Sequence, residues 1–186
     1  MRITISGAQS TGKTTLANDL AEAIPNARVE PEPFRVLRER LGLVSGLDSM
    51  TPEQEFELIL HNQRRLGALR AGETVVFDRC ALDALAHAMV AHVQGNPAFT
   101  SEWMARLAEE TKKAMHPVDV IIFVPCEEGM LIEADGVRST DLAYRDSVNE
   151  AMQELIAQQK EAHVLVVQGD RRSRVDQVIS ALPGYG

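Results

Sequence analysis

Short hydrophobic runs alternate along the chain with longer segments of helical periodicity. Three of the runs are continuously apolar, which is typical of parallel strands covered on both faces. The runs predict strands at residues 2–6, 27–30, 74–77, 118–124 and 163–167. The periodic segments predict helices at residues 16–24, 34–41, 52–69, 82–93, 101–115, 141–160 and 172–182. This alternation predicts an α/β fold, a doubly wound parallel sheet with right-handed crossovers.

The most specific motif follows the first predicted strand. Residues 7–15 read G-A-Q-S-T-G-K-T-T and match G-x-x-x-x-G-K-[ST] at Gly7, Gly12, Lys13 and Thr14. Glycines let the backbone curl so that successive N–H groups face phosphate oxygens. The lysine reaches the β- and γ-phosphates, and the threonine hydroxyl ligates Mg²⁺. The pattern therefore predicts a phosphate-binding loop for Mg²⁺–ATP.

The other loop positions complete the predicted nucleotide-binding set. Gln9, Ser10 and Thr11 are expected to contribute mainly backbone contacts, and Thr15 follows the metal-binding threonine. The helix that begins after the loop adds positive potential under the phosphates. We expect the Lys13 ammonium to face solvent until phosphate arrives.

The bulk composition is that of an ordinary globule, with 186 residues, 45% hydrophobic and 25% charged. We expect residues 1–186 to form one domain. The net charge of −8 disfavours charge-driven binding to nucleic acid, although a local basic cleft stays possible. The two cysteines predict no disulfide framework. We expect no signal peptide, no membrane-spanning segment and a cytoplasmic location.

A carboxylate directly follows the third predicted strand. Asp78 comes after V-V-F, and in phosphate-loop folds a carboxylate at such a strand end holds Mg²⁺ directly or through water. The alternative is that Asp78 caps the helix that begins near Leu82. Arg79 follows at once and can engage a phosphoryl oxygen. Asp83, one helical turn further on, is a candidate substrate contact.

Two further acids end the second predicted strand, in V-E-P-E-P-F-R at residues 29–35. A carboxylate there faces the cleft at the carboxyl ends of the strands, where open α/β sheets bind ligands. Glu30 or Glu32 can therefore orient or deprotonate an acceptor hydroxyl, although either can equally be an exposed loop acid. Arg35 lies on the same helical face as Glu32 and can pair with it or with substrate.

Arginines recur in D-G-V-R-S-T-D-L-A-Y-R-D, at residues 135–146. Arg138 and Arg145 are seven residues apart, about two helical turns. Phosphoryl transfer spreads negative charge over equatorial oxygens, and mobile arginines commonly stabilise that charge. A solvated helix face with Asp–Arg pairs is the alternative. Gln63, late in the helix at residues 52–69, is a further candidate for substrate contact, with an exposed polar face as its alternative.

Four segments together resemble the ribosylnicotinamide-kinase-like ATPase family, small phosphate-loop kinases related to nucleoside and nucleoside monophosphate kinases. They are G-A-Q-S-T-G-K-T-T-L at residues 7–16, P-E-P-F-R at 31–35, F-D-R-C-A-L-D-A-L-A at 77–86 and D-G-V-R-S-T-D-L-A-Y-R at 135–145. The resemblance extends from residue 1 to about residue 180. It implies a five-stranded phosphate-loop fold with strand order 2-3-1-4-5, in which the first strand is central.

The resemblance also implies roles on the acceptor side. It implies a lid at about residues 127–146 that carries the two arginines of that stretch. Glu32 takes the place of the acid in the family's E-x-x-R segment, with Arg35 as its partner. Glu30, followed by proline, instead resembles the catalytic acid of deoxynucleoside kinases. Both alignments stay open.

On the nucleotide side, the resemblance places G-D-R-R-S-R, at residues 169–174, beside the adenine. Arg172 or Arg174 can stack on the base there. ATP and Mg²⁺ are the implied cofactors. Related kinases are often dimers, so a homodimer is a further expectation.

The leading functional hypothesis is a Mg²⁺–ATP-dependent kinase of a small hydroxyl-bearing acceptor, expected to be nucleoside-like, for example a ribosylnicotinamide-type compound. A nucleoside monophosphate kinase and a kinase of modified bases in DNA are alternatives, and the acidic charge disfavours the latter. A switch that binds ATP without an acceptor is an alternative of another class. Guanine specificity is disfavoured, because P-C-E-E rather than N-K-x-D follows the fourth predicted strand.

Overall fold

The computed structural model describes residues 1–41, 50–130 and 140–182. A single parallel sheet has the strand order β2-β3-β1-β4-β5, which confirms the predicted order. The central strand β1 pairs Ile3 with Val76 of β3 on one side and with Val120 of β4 on the other. The strands are β1 Arg2–Ser6, β2 Ala27–Glu30, β3 Thr74–Asp78, β4 Val120–Phe123 and β5 His163–Val166.

Helices connect the strands and cover the sheet. They are α1 Lys13–Ala23, α2 Pro33–Leu41, α3 Pro52–Gly67, α4 Ala81–Val93, α5 Ser101–Met115, α6 Leu142–Ala157 and α7 Arg171–Ala181. Side-chain caps start several of them. Thr51, for example, accepts a 3.3 Å hydrogen bond from the backbone of Gln54, whose side chain bonds back to the Thr51 N–H. Such caps satisfy N–H groups that have no partner inside the helix.

The alternation of side chains along each strand builds a core on both faces of the sheet. Ile3 and Ile5 of β1 pack with α1 and α7 on one face. Phe77 of β3 and Ile121 of β4 pack with residues of α3 to α6 on the other. The central strands are thus covered on both faces, which explains their continuous apolar runs. Within the described ranges, none of the helices is both long and apolar enough to span a bilayer.

Element boundaries differ from the predictions by a few residues. The fourth strand is shorter than residues 118–124, because the Val118 N–H bonds to the Met115 carbonyl and so belongs to the turn after α5. Helix α1 begins earlier than predicted, because Gly12 caps it and accepts the first helical bond from Leu16. The central part of the predicted lid, residues 131–139, lies outside the described residues.

Because all strands are parallel, their carboxyl ends share one edge of the sheet. The phosphate loop follows β1 at this edge, Asp78 ends β3, and the segment after Glu30 leaves β2. Open α/β sheets bind ligands at this edge. The sheet therefore brings together groups that are distant in sequence.

Candidate active site

The phosphate loop passes from β1 to α1 through backbone conformations that favour glycine. Gly7 has a φ of 152°, and a Cβ there would lie 2.3 Å from the carbonyl oxygen of Val124. Gly12, with a φ of 84°, is the N-cap of α1, and Nη1 of Arg174 lies 3.2 Å from the place of an added Cβ. The glycines thus bring the loop close to β4 and leave the N-terminus of α1 open to an anion.

Lys13 is buried, with 4% of its surface exposed. Its Nζ donates hydrogen bonds to the Ala8 carbonyl and, at 3.2 Å, to the Thr11 hydroxyl. The expectation of a solvent-facing ammonium is therefore wrong, because the side chain folds over its own loop. Burial, followed by the charge of Arg79, lowers the pKa of Lys13 to about 7. Phosphate oxygens at the loop would favour the charged form again.

Two loop side chains hold buried polar atoms that have no partner among the described residues. They are both amide atoms of Gln9, which is 4% exposed, and the hydroxyl of Ser10. Ser10 also has a left-handed φ of 59°. Buried polar atoms in native proteins are nearly always paired, so unpaired ones indicate a place for a ligand or water. The side chain of Gln9, and not only its backbone, is thus available to a nucleotide.

A hydrogen bond joins the loop to the end of β3. The Thr14 hydroxyl donates to Oδ2 of Asp78 at 2.6 Å, while Oδ1 of the same carboxylate is buried without a partner in the described part of the chain. A hydroxyl and a carboxylate supply the oxygen ligands that Mg²⁺ prefers. The N-cap of α4 is Cys80, so the alternative that Asp78 caps this helix is wrong.

This oxygen pair fits a magnesium ion that keeps several waters and phosphate ligands, as Mg²⁺ sites commonly do. Across the described ranges, no cluster of three or more His, Cys, Asp or Glu side chains could hold a metal by itself. A metal at Thr14 and Asp78 would therefore depend on the nucleotide for further ligands.

Arg79 is the centre of the buried charges beside the loop. Its backbone has a left-handed φ of 69°, unusual for a side chain of this size. Its Nε lies 2.5 Å from Oε1 of Glu32, and its Nη1 donates to Oδ1 of Asp83 at 3.0 Å. Burial lowers the pKa of Arg79, but the charges of Glu32 and Asp83 outweigh burial and raise it. Arg79 is thus a fixed cation at the site.

The two candidate acids of the β2 segment lie in different surroundings. Glu32 is buried at 6% exposure and accepts a 3.1 Å hydrogen bond from Nε of Arg35 in addition to its ion pair with Arg79. Glu30 is half-buried at the end of the edge strand β2 and pairs with Arg28. Of these two acids, Glu32 is the one that pairs with the Arg79 guanidinium, whereas Glu30 pairs with Arg28.

The carboxylate of Asp83 is occupied by groups of the protein itself. It accepts hydrogen bonds from the Ser6 hydroxyl at 2.8 Å, the Cys80 N–H at 3.0 Å and Nη1 of Arg79 at 3.0 Å. The Gly7 N–H lies 3.5 Å from its Oδ1. Asp83 was predicted to contact substrate, and these partners instead make it a support for Arg79 and for the start of the loop.

A positioning residue that the sequence did not reveal is Arg65 of α3. Its Nη1 donates to the Pro31 carbonyl at 2.8 Å, and its Nη2 reaches the carbonyls of Asp78, at 3.3 Å, and Arg79. Its guanidinium also lies 5.1 Å from the centre of the Phe77 ring. Arg65 therefore links the ends of β2 and β3. No sequence signal separates it from the exposed Arg64, since only packing determines which arginine turns inward.

A cleft of about 240 Å³ lies beside the loop on the side of α7. Residues of the phosphate loop and of the predicted adenine loop both line this cleft, so the two loops are adjacent. The lining residues are Ser10, Thr11, Gly12, Thr15, Leu16, Asp19, Met130, Gly169, Arg171 and Arg174. The cleft thus has the position expected for the nucleoside part of ATP.

The arginines of this cleft differ in their exposure. Arg174 is buried and donates to the Thr11 carbonyl and to Glu127, each at 2.6 Å. Arg171 pairs with Asp19 through a 2.7 Å hydrogen bond from its Nε. Arg172 has a side chain 93% exposed and does not line the cleft. Arg171, rather than the predicted Arg172, therefore lines the cleft together with Arg174.

Of the two predicted lid arginines, Arg145 lies among the described residues. Arg145 is buried near the start of α6, where its Nη1 donates to the Met130 carbonyl at 2.8 Å. Arg138 lies outside the described residues. Gln63 is half-buried on α3 and stays a candidate for substrate contact.

Three solved structures of similar fold illustrate the likeness. NadR in complex with NR superposes with a TM-score of 0.69 at 20% sequence identity, covering 96% of this chain and 50% of that one. Deoxyadenosine kinase from M. mycoides gives 0.71 at 14% identity, with 97% of both chains covered. Thymidylate kinase from Candida albicans gives 0.68 at 12%, covering 95% and 88%. The present chain spans about half the length of the NadR chain. These likenesses establish the fold of phosphate-loop nucleoside and nucleotide kinases.

Sequence comparison is less specific about function. No curated protein matches the chain. The family model described as "AAA domain" matches residues 2–174, which include the phosphate loop, Asp78, Arg145 and the cleft arginines. Because this match covers most of the 186 residues, the chain belongs to the AAA-domain family.

Proposed function

We propose that this protein is a kinase that transfers the γ-phosphoryl group of ATP to a hydroxyl of a small nucleoside-like acceptor, with ribosylnicotinamide-type compounds among the candidates. The observation that carries the proposal is that a hydrogen bond and an ion pair lie side by side at the carboxyl ends of the strands. The Thr14–Asp78 hydrogen bond lies at the phosphate loop. The Arg79–Glu32 ion pair lies beside it, because Arg79 directly follows Asp78, the last residue of β3. Phosphate-binding and hydroxyl-orienting groups are thus adjacent.

Each group has a defined task in this proposal. The loop backbone and Lys13 hold the triphosphate, and Thr14 and Asp78 hold Mg²⁺, which when bound neutralises phosphate charge. An ionised Glu32 is a pure hydrogen-bond acceptor, so it can receive the proton of the acceptor hydroxyl. The acceptor oxygen then bonds to the γ-phosphorus while the bond to the β,γ-bridging oxygen breaks and ADP leaves. Arg79 stabilises the charge that develops on the transferred group.

The test is ADP release by the purified protein with Mg²⁺–ATP and a panel of acceptors. The panel contains ribonucleosides, deoxynucleosides, nicotinamide riboside, nucleoside monophosphates and a short DNA duplex. We expect turnover that depends on a nucleoside and that yields a phosphorylated nucleoside by mass spectrometry. Turnover with nucleoside monophosphates alone, or with DNA alone, would show that the acceptor belongs to that class and is not a nucleoside. Basal ATP hydrolysis that no acceptor changes would favour a switch instead.

A further inference from the structure

A group of one buried and two half-buried polar side chains lies outside the phosphate loop and does not line the nucleotide cleft. It consists of Glu55 on α3, His87 on α4 and Tyr144 on α6, and we call it the Glu55 cluster. Helix α4 packs against both α3 and α6, so the three side chains come from adjoining helices. Nδ1 of His87 and the hydroxyl of Tyr144 are 2.6 Å apart.

Glu55 has no evident structural role. It is 3% exposed, and its Oε2 has no hydrogen-bond partner in the part of the chain that the structure describes. Burial, opposed only by the charge of Arg79, raises the pKa of this carboxyl to about 8. At neutral pH the group is therefore largely a neutral acid, which presents an O–H donor beside a carbonyl acceptor. An unpaired buried polar atom destabilises the free protein. A ligand that forms a hydrogen bond with this atom would remove that cost.

The neighbours of Glu55 are neutral as well. Burial, followed by the charge of Glu55, raises the pKa of Tyr144. Burial, followed by the charge of Arg79, lowers the pKa of His87 to about 4. The charge of Arg79 acts on every member of the cluster, and Arg79 itself pairs with Glu32. The cluster is thus a set of uncharged polar side chains within the electrostatic reach of Arg79, the ion-pair partner of the proposed hydroxyl-orienting acid.

We propose that the Glu55 cluster binds the base of the acceptor, through a planar edge on which a hydrogen-bond donor and acceptor are adjacent. A ring nitrogen beside an exocyclic amine has this pattern, and so has a carboxamide. The carboxyl of Glu55 matches either edge with two parallel hydrogen bonds, and the Tyr144 hydroxyl offers a third polar contact. A phosphate is a poor occupant, because a nearby carboxyl and a phosphate repel each other whenever both are ionised. This inference rests on the proposed function.

The experiment compares Glu55→Met, which keeps the volume and removes the polar edge, with Glu55→Gln, which keeps an adjacent donor and acceptor. Glu57→Met on the same helix is the matched control, since its side chain is 36% exposed and reaches Arg40 only at 3.7 Å. Nucleoside binding to the ADP-loaded protein is measured by calorimetry with adenosine, cytidine, guanosine, uridine, nicotinamide riboside and plain ribose. KM and kcat follow for any probe that is phosphorylated, and thermal unfolding is recorded without ligands.

We expect Glu55→Met to weaken nucleoside binding, or raise KM, by roughly tenfold or more, since a site built around a hydrogen bond discriminates strongly when that bond is lost. Its unfolding temperature should not fall, the Mg²⁺–ATP affinity should not change, and Glu55→Gln and Glu57→Met should stay within about threefold of wild type. A Glu55→Met protein that binds and phosphorylates the nucleoside normally overturns the base site alone. A wild type that phosphorylates ribose as well as any nucleoside likewise overturns the base site, and a wild type that binds no nucleoside at all overturns the base site and the proposed acceptor class together. Nucleoside binding that depends on Glu55, but without phosphoryl transfer, would contradict the proposed function and support the base site.

Discussion

The hydroxyl of Thr14 donates a 2.6 Å hydrogen bond to Oδ2 of Asp78, across 64 residues of sequence. The bond holds the first turn of α1 against the end of β3, and it sets two oxygen ligands side by side. Oδ1 of Asp78 stays buried without a partner among the described residues, which leaves a lone pair for a metal.

Asp78→Asn should reduce Mg²⁺-dependent turnover by about a hundredfold or more, because the amide removes the charge that holds the metal near the phosphates. Steady-state ADP release over a range of Mg²⁺ concentrations measures the effect. Asp176→Asn, a side chain 71% exposed on α7, is the control. Equal Mg²⁺ dependence in both variants would place the metal elsewhere.

Lys13→Ala should abolish or strongly weaken Mg²⁺–ATP binding, because the lysine is the cation that reaches the β- and γ-phosphates. Since Lys13 bonds only to its own loop in the described residues, circular dichroism should show an intact fold. Calorimetry measures the affinity, with Lys112→Ala on the exposed face of α5 for comparison. Unchanged affinity would remove the basis of the nucleotide-binding interpretation.

Glu32→Gln should lower acceptor phosphorylation by roughly a hundredfold while ATP binding is spared, the usual scale for a positioned general base. Glu30→Gln is the matched control, because Glu30 pairs with Arg28 rather than with Arg79. Steady-state rates with the identified acceptor distinguish the two. Normal turnover in both variants would mean that the base is elsewhere, and the reverse ranking would favour Glu30.

Arg145→Ala should lower kcat by about tenfold or more and affect ATP affinity less, as expected for an arginine that stabilises transferred charge. Arg138→Ala should behave alike. Rapid-quench kinetics separate the chemical step from binding, and Arg38→Ala on the exposed side of α2 is the control. A loss of ATP affinity at constant kcat would assign these arginines to ground-state binding.

Arg65→Met should destabilise the protein by roughly 2 kcal/mol, because it leaves the carbonyls of Pro31 and Arg79 without their charged donor. Turnover should fall too, since Arg65 holds the segments that carry Glu32 and Asp78. Urea unfolding measures the stability, and Arg64→Met, exposed one residue earlier, is the control. Two variants of equal stability would contradict the positioning role.

The sequence by itself determined the features that depend on local spacing. Hydrophobic periodicity predicted β2 at Ala27–Glu30 and α5 at Ser101–Met115 with the same bounds that the structure has. The phosphate loop was recognisable because its glycines and its Lys-Thr pair work through neighbouring backbone atoms. The strand order came from a family resemblance, because nothing in periodicity states which strands pair.

Tertiary structure alone decided the features that depend on which face of an element is covered. The sequence leaves open whether Glu30 or Glu32 is the acceptor-side acid, but Arg79, directly after β3, pairs with Glu32. Lys13 was expected in solvent and is buried, because its loop curls around it. Arg65 and Glu55 look like ordinary polar positions of an amphipathic helix. Packing of α3 against α4, which joins residues far apart in the chain, buries Glu55 and turns Arg65 towards the ends of β2 and β3.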